Sequence, residues 1–336
     1  MRDQSHLEFF LTKFHIFTGP DDVPAALKNC VVAIGNFDGI HLGHQKIIAR
    51  TLEIARRDNR PTVMLTFEPH PRDFFAPEPF MFRLTQGEQK AHLARALGMD
   101  GIMILPFDGK LASLEAEQFV SDFLVDALGA SSVVVGEDFH FGRARKGTPQ
   151  FLQQAGKGAG FDVHQLQLLQ SESDAVSSSR IRASLTTAEL DLANRLLGYH
   201  WLIAGEVIKG DQRGRELGYP TANFKLCETC LLARGVYAVR VRLGERLFDG
   251  VASFGKPMFD IHQSPFEVHI FDFDEDIYGQ HIEVALVSFI RGQMTFDGLD
   301  ELIMQMDADS KKAKAALAAV GPISPLDEKL GLIIKG

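Results

Sequence analysis

Two imidazoles in the run His41-Leu42-Gly43-His44 are the strongest chemical signal in the chain. They follow Val31-Val32-Ala33-Ile34, a buried-strand pattern, and the glycine-punctuated turn Gly35-Asn36-Phe37-Asp38-Gly39. That places them at a helix start, where free N–H groups and a partial positive charge suit an anion such as phosphate. Two histidines there can hydrogen-bond nucleotide phosphate oxygens and stabilise charge as an α-phosphate is attacked, which is the chemistry of nucleotidyl transfer. The competing reading is an ordinary βα turn with one surface and one packed histidine.

Ser177-Ser178-Ser179-Arg180-Ile181-Arg182 is a second candidate. Hydroxyls and N–H groups before a helix donate to a chain of phosphate oxygens, and guanidinium neutralises them; the alternative is a serine N-cap with solvated arginines. Together with the imidazoles, this run could hold the α- and then the β,γ-phosphates of one ATP. The loop Gly136 to Gly147 mixes Phe139 and Phe141 with glycine and basic residues, which suits a flat ring beside a phosphate. Further on, Gly205, Gly210, Gly214 and Gly218 stand beside Lys209, Arg213 and Arg215. Such a loop can bring backbone N–H groups to phosphate or simply be a set of turns. Thr221 and Asn223 offer neutral oxygens suited to a Mg²⁺ that keeps most of its water. Glu267 alternates with Phe266, Val268 and Ile270, so it faces away from them, either as a base for a substrate hydroxyl or toward solvent.

The elements that must position these residues fall into two textures. From Val31 to about Arg182, short apolar strands (31–34, 62–67, 101–105, 132–135) alternate with helical stretches (45–57, 86–97, 116–128), and further segments surround Phe151 and His164. That pattern implies a parallel sheet covered on both faces, with ligands beyond the carboxyl ends of its strands. The glycine turn at 35–39, the stop Glu68-Pro69-His70-Pro71 and Gly136 all fall at that edge. Beyond residue 200, segments 201–208, 236–243, 247–254, 266–273 and 281–290 alternate apolar and polar residues, as an antiparallel sheet or small barrel does. A helix over 187–197 connects the halves, and a helical tail from Leu299 to about Val320, with Leu302, Ile303 and Met306 on one face, closes the chain. The expected organisation is α/β: a Rossmann-like N-terminal domain at 15–186, a linker helix at 187–200, and a C-terminal β-barrel domain at 201–322.

A net charge of −9 and the absence of any Lys/Arg block argue against nucleic acid as a partner. No run approaches a membrane helix, and no cleavage site follows the apolar stretch Leu7 to Ile16, so a cytoplasmic protein is expected. Three cysteines fit a reducing compartment. Cys227 and Cys230 form a C-x-x-C, but only Cys30 remains as a third thiol and nothing nearby has zinc-ligand spacing, so no zinc is expected. Association of copies stays open.

From about Phe17 to Ala316 the ordered motifs resemble the bacterial bifunctional riboflavin kinase/FAD synthetase family. Gly35 to His44, Thr66-Phe67-Glu68-Pro69-His70-Pro71, Gly136 to Gly147 and Ser177 to Arg182 look like its FMN adenylyltransferase module. Gly210 to Asn223, Gly235-Val236-Tyr237, Glu267-Val268-His269 and Asp276-Ile277-Tyr278-Gly279 look like its riboflavin kinase module. The resemblance implies phosphorylation of riboflavin to FMN in the C-terminal half and adenylylation of FMN to FAD in the N-terminal half, with ATP as co-substrate and Mg²⁺ as cofactor. It implies that His41 and His44 stabilise the α-phosphate transition state. Gly35, Asn36, Phe37, Gly43, Ser178, Ser179 and Arg182 would line the ATP phosphates, with Gly210 and Gly214 doing so in the kinase half. Phe67, Phe141 and Asp138 are the implied flavin contacts, Thr221 and Asn223 the Mg²⁺ ligands, and Glu267 the base. Three departures stand out. Ser179 replaces the usual Thr. Asp138 replaces an Asn found in some members, and needs a cation such as Arg143 or Arg145 beside it. Gly255-Lys256-Pro257-Met258-Phe259 replaces a Gly-x-x-Pro-Thr loop and loses its Thr. An adenylyltransferase with an impaired kinase half, and a non-catalytic flavin carrier, are the alternatives; a class I aminoacyl-tRNA synthetase lacks its lysine-rich second motif here and would not be acidic.

Overall fold

The computed structural model describes residues 14–167, 169–171, 174–210, 218–255 and 266–334. It divides into two compact units. One comprises the described residues as far as Met81 together with Thr85–Val176; the other comprises Phe82–Leu84 and the described residues from Ser177 onward.

In the first unit, β2 (Val31–Ile34) is buried at every position. Successive side chains leave a strand on opposite faces, so a strand covered on both sides must be apolar throughout. Val31 packs with Ile54 and Ala55 of α1 (Leu42–Asp58), whereas Val32 and Ile34 enter a larger core with Leu65, Met103, Phe119 and Leu124. The sheet is parallel, ordered β1-β4-β3-β2-β5-β6, with β1 His15–Phe17, β3 Thr62–Glu68, β4 Gly101–Pro106, β5 Ser132–Gly136 and β6 Asp162–Leu166. Helices α2 (Pro71–Phe74), α3 (Gly87–Leu97), α4 (Gly109–Ser113), α5 (Ala116–Phe119) and α6 (Pro149–Ala159) connect the strands. This is the expected Rossmann-like arrangement. The chain moves one way across the sheet from β2 to β3 and the other way to β5, so the strand order reverses between β2 and β5. Ligand crevices in such sheets open at that reversal, beyond the carboxyl ends of the strands. The loops leaving β2 and β5 begin at Gly35 and after Gly136, the two glycine segments singled out above.

Two details differ from the sequence expectation. The helix expected over 116–128 is α-helical only to Phe119 and continues as wider π turns over Val120–Ala127, which keep Val120, Leu124 and Ala127 buried. A two-stranded ribbon, β7 (Gln170–Ser171) with β8 (Asp174–Ala175), follows β6.

The second unit begins with α7 (Ser178–Thr186) and α8 (Leu190–Leu197). The expected boundary at 186/187 and the linker at 187–200 thus differ from the observed division after Val176. The reason is packing: α7 lies on α8, and α8 lies on β14 (His281–Gly292). The buried amide of Asn194 donates to the carbonyl of Leu286 (3.0 Å) and accepts from the N–H of Trp201 (2.9 Å). An antiparallel sheet follows, ordered β10-β13-β12-β11-β14-β9, with β9 Leu202–Glu206, β10 Ala222–Phe224, β11 Gly235–Leu243, β12 Arg246–Phe254 and β13 Phe266–Ile270. An isolated bridge from Ile208 to Asn223 draws the two edges together, its N–H donating to the carbonyl at 2.7 Å, so the sheet is nearly barrel-shaped. The helix α9 (Leu299–Ala319) packs on β11, β12 and β14. Its expected face, Leu302, Ile303 and Met306, is half-buried and continues into Asp309, Ala313 and Leu317, which are fully buried. Arg291 meets Asp309 at 2.7 Å.

A last helix, α10 (Pro325–Leu330), lies beyond the expected end of the domain at 322. Its buried Asp327 accepts from His200 N (3.1 Å) and His200 Nδ1 (2.8 Å) in the interior, and from Ile323 N (3.0 Å) nearer the surface. Asp327→Ala would leave these donors without an acceptor, so it should destabilise the second unit by about 3 kcal/mol. Trp201, the single tryptophan, lies in that unit, and urea unfolding followed by its emission should show the midpoint falling. An unchanged midpoint would refute the structural weight given to this carboxylate.

Candidate functional site

The first constellation is built on the loop between β2 and α1. Phe37 and Ile40 both hold left-handed φ values, +48° and +37°, although neither is glycine. Such strain survives only where the surroundings over-determine it. Here Thr66 Oγ1 donates to the Asn36 carbonyl (3.0 Å), Gly39 N to Thr85 Oγ1 (2.9 Å), Thr85 N to Asp38 Oδ1 (3.0 Å), and Gln45 Nε2 to the Ile40 carbonyl (2.9 Å). Both strained side chains are fully buried.

His41 is the N-cap of α1. Its Nδ1 accepts from the N–H groups of Gly43 (3.2 Å) and His44 (3.4 Å), which fixes the lone pair on Nδ1 and the proton on Nε2. A Cβ on Gly43 would stand 3.0 Å from the His41 ring, so the absence of a side chain there lets the imidazole fold over the helix start. The ring of His44 stacks on that of His41 at 3.8 Å and 18°, with Phe37 edge-on at 5.2 Å. His44 Nδ1 is buried and has no hydrogen-bond partner among the described residues. Burial, then the neighbouring His41 and Lys90, hold the His44 pKa well below 6.5. The imidazole is therefore neutral near pH 7. Because the folded form binds its proton less tightly than the unfolded form, His44 costs no stability above pH 6.5 and weakens the fold as pH falls below it.

Lys90, which the sequence reading passed over, lies beneath this pair. It is 1% exposed, and its Nζ sits 2.8 Å from Glu68 Oε1, 3.4 Å from Thr66 Oγ1 and 3.3 Å from the Phe67 carbonyl. A lysine in the helical pattern 86–97 reads as a solvated position. The only sequence hint was the threonine and glutamate at the carboxyl end of an otherwise apolar strand.

Phe67 and Phe141, expected as flavin contacts, are each 6% exposed and belong to the core, both packing against Phe119 (6.4 and 5.2 Å). Phe139 lies flat on Phe141 at 5.6 Å, and Phe107 meets Phe67 edge-on at 6.0 Å, so the two rings form the back of an aromatic wall. Asp138 is exposed at the head of the loop, and His140 Nδ1 donates to its carbonyl (2.9 Å). Arg143, one of the two cations named as its counter-charge, pairs with Glu115 at 3.2 Å. Ser177 caps α7 by accepting from Arg180 N (3.3 Å), so Ser178 and Ser179 occupy the first turn instead of preceding the helix. Arg182 donates through Nε to the Phe82 carbonyl. These residues fall in the second unit.

The second constellation stands where β10 pairs with β13. Asn223 lies directly opposite Glu267, and Ser253 of β12 faces Glu267 from the other side. Directly opposed residues bring their Cβ atoms to about 5 Å. The burial of β13 alternates as expected, with Glu267 half-buried between buried Phe266 and Val268. Asn223 is 5% exposed; its Nδ2 leans toward the Thr221 carbonyl (3.3 Å) and Oγ1 (3.4 Å), while its Oδ1 is buried without a hydrogen-bond partner among the described residues. The Thr221 loop is tied on both sides: His269 donates to the Pro220 carbonyl (2.9 Å), and the Tyr219 hydroxyl donates to Asp307 of α9. Two neutral oxygens beside a carboxylate, one of them an unsatisfied acceptor, fit a hard cation that retains water. No group of three or more His, Cys, Asp or Glu that could hold a metal occurs among the described residues. Gly214 and residues 256–259 of the altered loop lie outside the described residues.

Gly210 explains itself by proximity. A Cβ there would stand 2.6 Å from Asn223 Nδ2 and 2.8 Å from its Cγ. A side chain at this position would therefore displace the Asn223 amide.

Of the three cysteines, all free, Cys227 is pushed down to about 6 by a hydrogen bond from the Cys230 thiol, and Cys230 is pushed up correspondingly. Among the described residues no helix is long and apolar enough to cross a membrane.

Comparison with known proteins finds two family models in the chain: FAD synthetase over residues 23–180 and riboflavin kinase over residues 197–317. The bifunctional riboflavin kinase/FMN adenylyltransferase of Escherichia coli K12 is 38% identical over 300 residues, covering 89% of this chain and 96% of that protein. The protein of the same description from Pseudomonas fluorescens is 40% identical over 293 residues, covering 87% and 94%. Among solved structures, one described as a macrolide-efflux protein from Streptococcus pneumoniae superposes with a TM-score of 0.79 at 31% identity, covering 90% of this chain and 98% of that one.

Proposed function

The chain belongs to the family of bifunctional riboflavin kinase/FMN adenylyltransferases, and from that membership we propose how its residues divide the two reactions. It phosphorylates riboflavin to FMN and adenylylates FMN to FAD, with ATP as the donor in both steps.

In adenylyl transfer a phosphate oxygen of FMN bonds to the α-phosphorus of ATP, and the bond to the departing pyrophosphate breaks. The N-terminus of α1 faces the charge that builds on the α-phosphate, and His41 and His44 donate to it through Nε2–H. Gly35, Asn36, Phe37 and Gly43 shape the backbone that admits the nucleotide. Ser178, Ser179 and Arg182 are assigned to the polyphosphate on their chemistry alone. The aromatic wall containing Phe67 and Phe141 borders the flavin with its edges, and Asp138 stands at the loop above it.

In the kinase half a ribityl hydroxyl attacks the γ-phosphorus and ADP departs. Glu267 takes the proton, and Thr221 and Asn223 would hold Mg²⁺, with Gly210 and Gly214 near the phosphates. Mg²⁺ supplies charge neutralisation on the transferring phosphates. The single observation that supports this half is the register of Asn223 against Glu267, which puts a carboxylate opposite an amide two residues from Thr221.

The test is chromatography after incubation with ATP and Mg²⁺. Riboflavin should give FMN and then FAD, and supplied FMN should give FAD directly. FAD from FMN alone would leave an adenylyltransferase with a silent kinase half; neither product would overturn the reading.

A further inference from the structure

We propose that the Lys90–Glu68 pair, its ammonium wholly buried, is the positioning device of the adenylyltransferase site, holding the loop that carries the imidazoles. The inference rests on the reading that His41 and His44 meet the α-phosphate.

Lys90 is a fully buried cation on α3, and its ammonium reaches three acceptors from the end of β3: Glu68 Oε1, Thr66 Oγ1 and the Phe67 carbonyl. Thr66, whose oxygen accepts from the ammonium, donates its own proton to the Asn36 carbonyl. The relay therefore runs from α3 through β3 into the loop that contains strained Phe37 and Ile40 and ends at the His41 cap. A buried ion pair is an expensive way to stabilise a fold, since apolar residues of similar size do as well. Its place under a strained catalytic loop gives it a use that apolar packing lacks, namely direction and charge.

Burial and the stacked His41 come first in holding the His44 pKa down, and the Lys90 charge adds to them. The groups facing that ring are His41, stacked on it, Phe37, edge-on, and Lys90, whose positive charge opposes its protonation. With Nδ1 buried and unpartnered, the neutral tautomer keeps its proton on Nε2. A neutral N–H bonds more strongly as charge develops on the phosphate, whereas an imidazolium would grip ground-state ATP and the departing pyrophosphate as well. Only the first arrangement is selective for the transition state. Protonation of His44 would also set a cation against the stacked His41 ring.

The experiment uses the whole chain and reads both activities. Lys90→Met combined with Glu68→Gln removes both charges without leaving a carboxylate buried alone. FMN adenylylation should lose about tenfold in kcat with a smaller change in KM, and the acid limb of its pH profile should move up. Riboflavin phosphorylation by the same sample should be unchanged, and a thermal melt that keeps the transition of the first unit certifies that this unit is folded. A uniform loss at every pH, with the acid limb unmoved, would reduce the pair to a packing feature and overturn the proposal. Should the variant fail to fold, Thr66→Val decides: it keeps the shape of the side chain but breaks the link to the Asn36 carbonyl, so kcat for FMN adenylylation should fall, and an unchanged kcat would overturn the proposal. Failure of the underlying site reading looks different: His44→Ala would then still make FAD.

Discussion

Replacing His44 by alanine is expected to lower the rate of FAD formation from FMN about a thousandfold while FMN formation from riboflavin continues at its wild-type rate. On the proposed assignment the imidazole would supply one preorganised donor at the switch point of the parallel sheet, and removal of one such donor typically costs two to three powers of ten. The fold should tolerate the change, because the His41 cap accepts from the backbone N–H of residue 44, which alanine retains. His41→Ala makes a useful contrast. It removes the cap as well as the donor, so it should lose about 1 kcal/mol of stability in addition to activity. Parallel assays of the two half-reactions with thermal melts separate the cases. A His44→Ala protein that still makes FAD would show that the imidazole is only packed in the turn.

The strand–turn–helix around His41 was legible because a strand buried on both faces has no polar position, so its apolar run is conspicuous, and the glycines that end it are equally so. The alternation of β13 gave the facing of Glu267 correctly for the same reason. Register is another matter. Nothing local to residues 221–223 says that they pair with 266–268, and β10 is only three residues long, too short to show a period. The strand β1 at the other sheet edge was missed on the same grounds. Lys90 was illegible because a charge in an amphipathic helix ordinarily faces water, and only the tertiary contact with Glu68 turns it inward. Phe67 and Phe141 were the reverse case. Their type suggested a flat ligand, but large aromatic side chains at strand ends and loop starts also build cores, and these two do so chiefly. The division after Val176 was hidden because α7 and α8 carry ordinary amphipathic patterns, which show that a helix is packed without showing on what.

Glu267→Gln is expected to lower riboflavin phosphorylation by about a thousandfold and leave adenylylation of supplied FMN unaltered, within the range for loss of a general base. Glutamine keeps the size of the side chain, its place between Asn223 and Ser253, and its capacity to accept a hydrogen bond, so the variant tests proton acceptance and little else. If the carboxylate only shaped the pocket, the amide would serve nearly as well and KM for riboflavin would move more than kcat. If it accepts the hydroxyl proton, kcat falls while riboflavin binding, measured by quenching of flavin fluorescence, stays within a small factor. Given riboflavin, the variant should accumulate neither flavin nucleotide; given FMN, it should make FAD at the wild-type rate. Loss of both activities in a protein that still melts normally would contradict the assignment of the two reactions to two constellations.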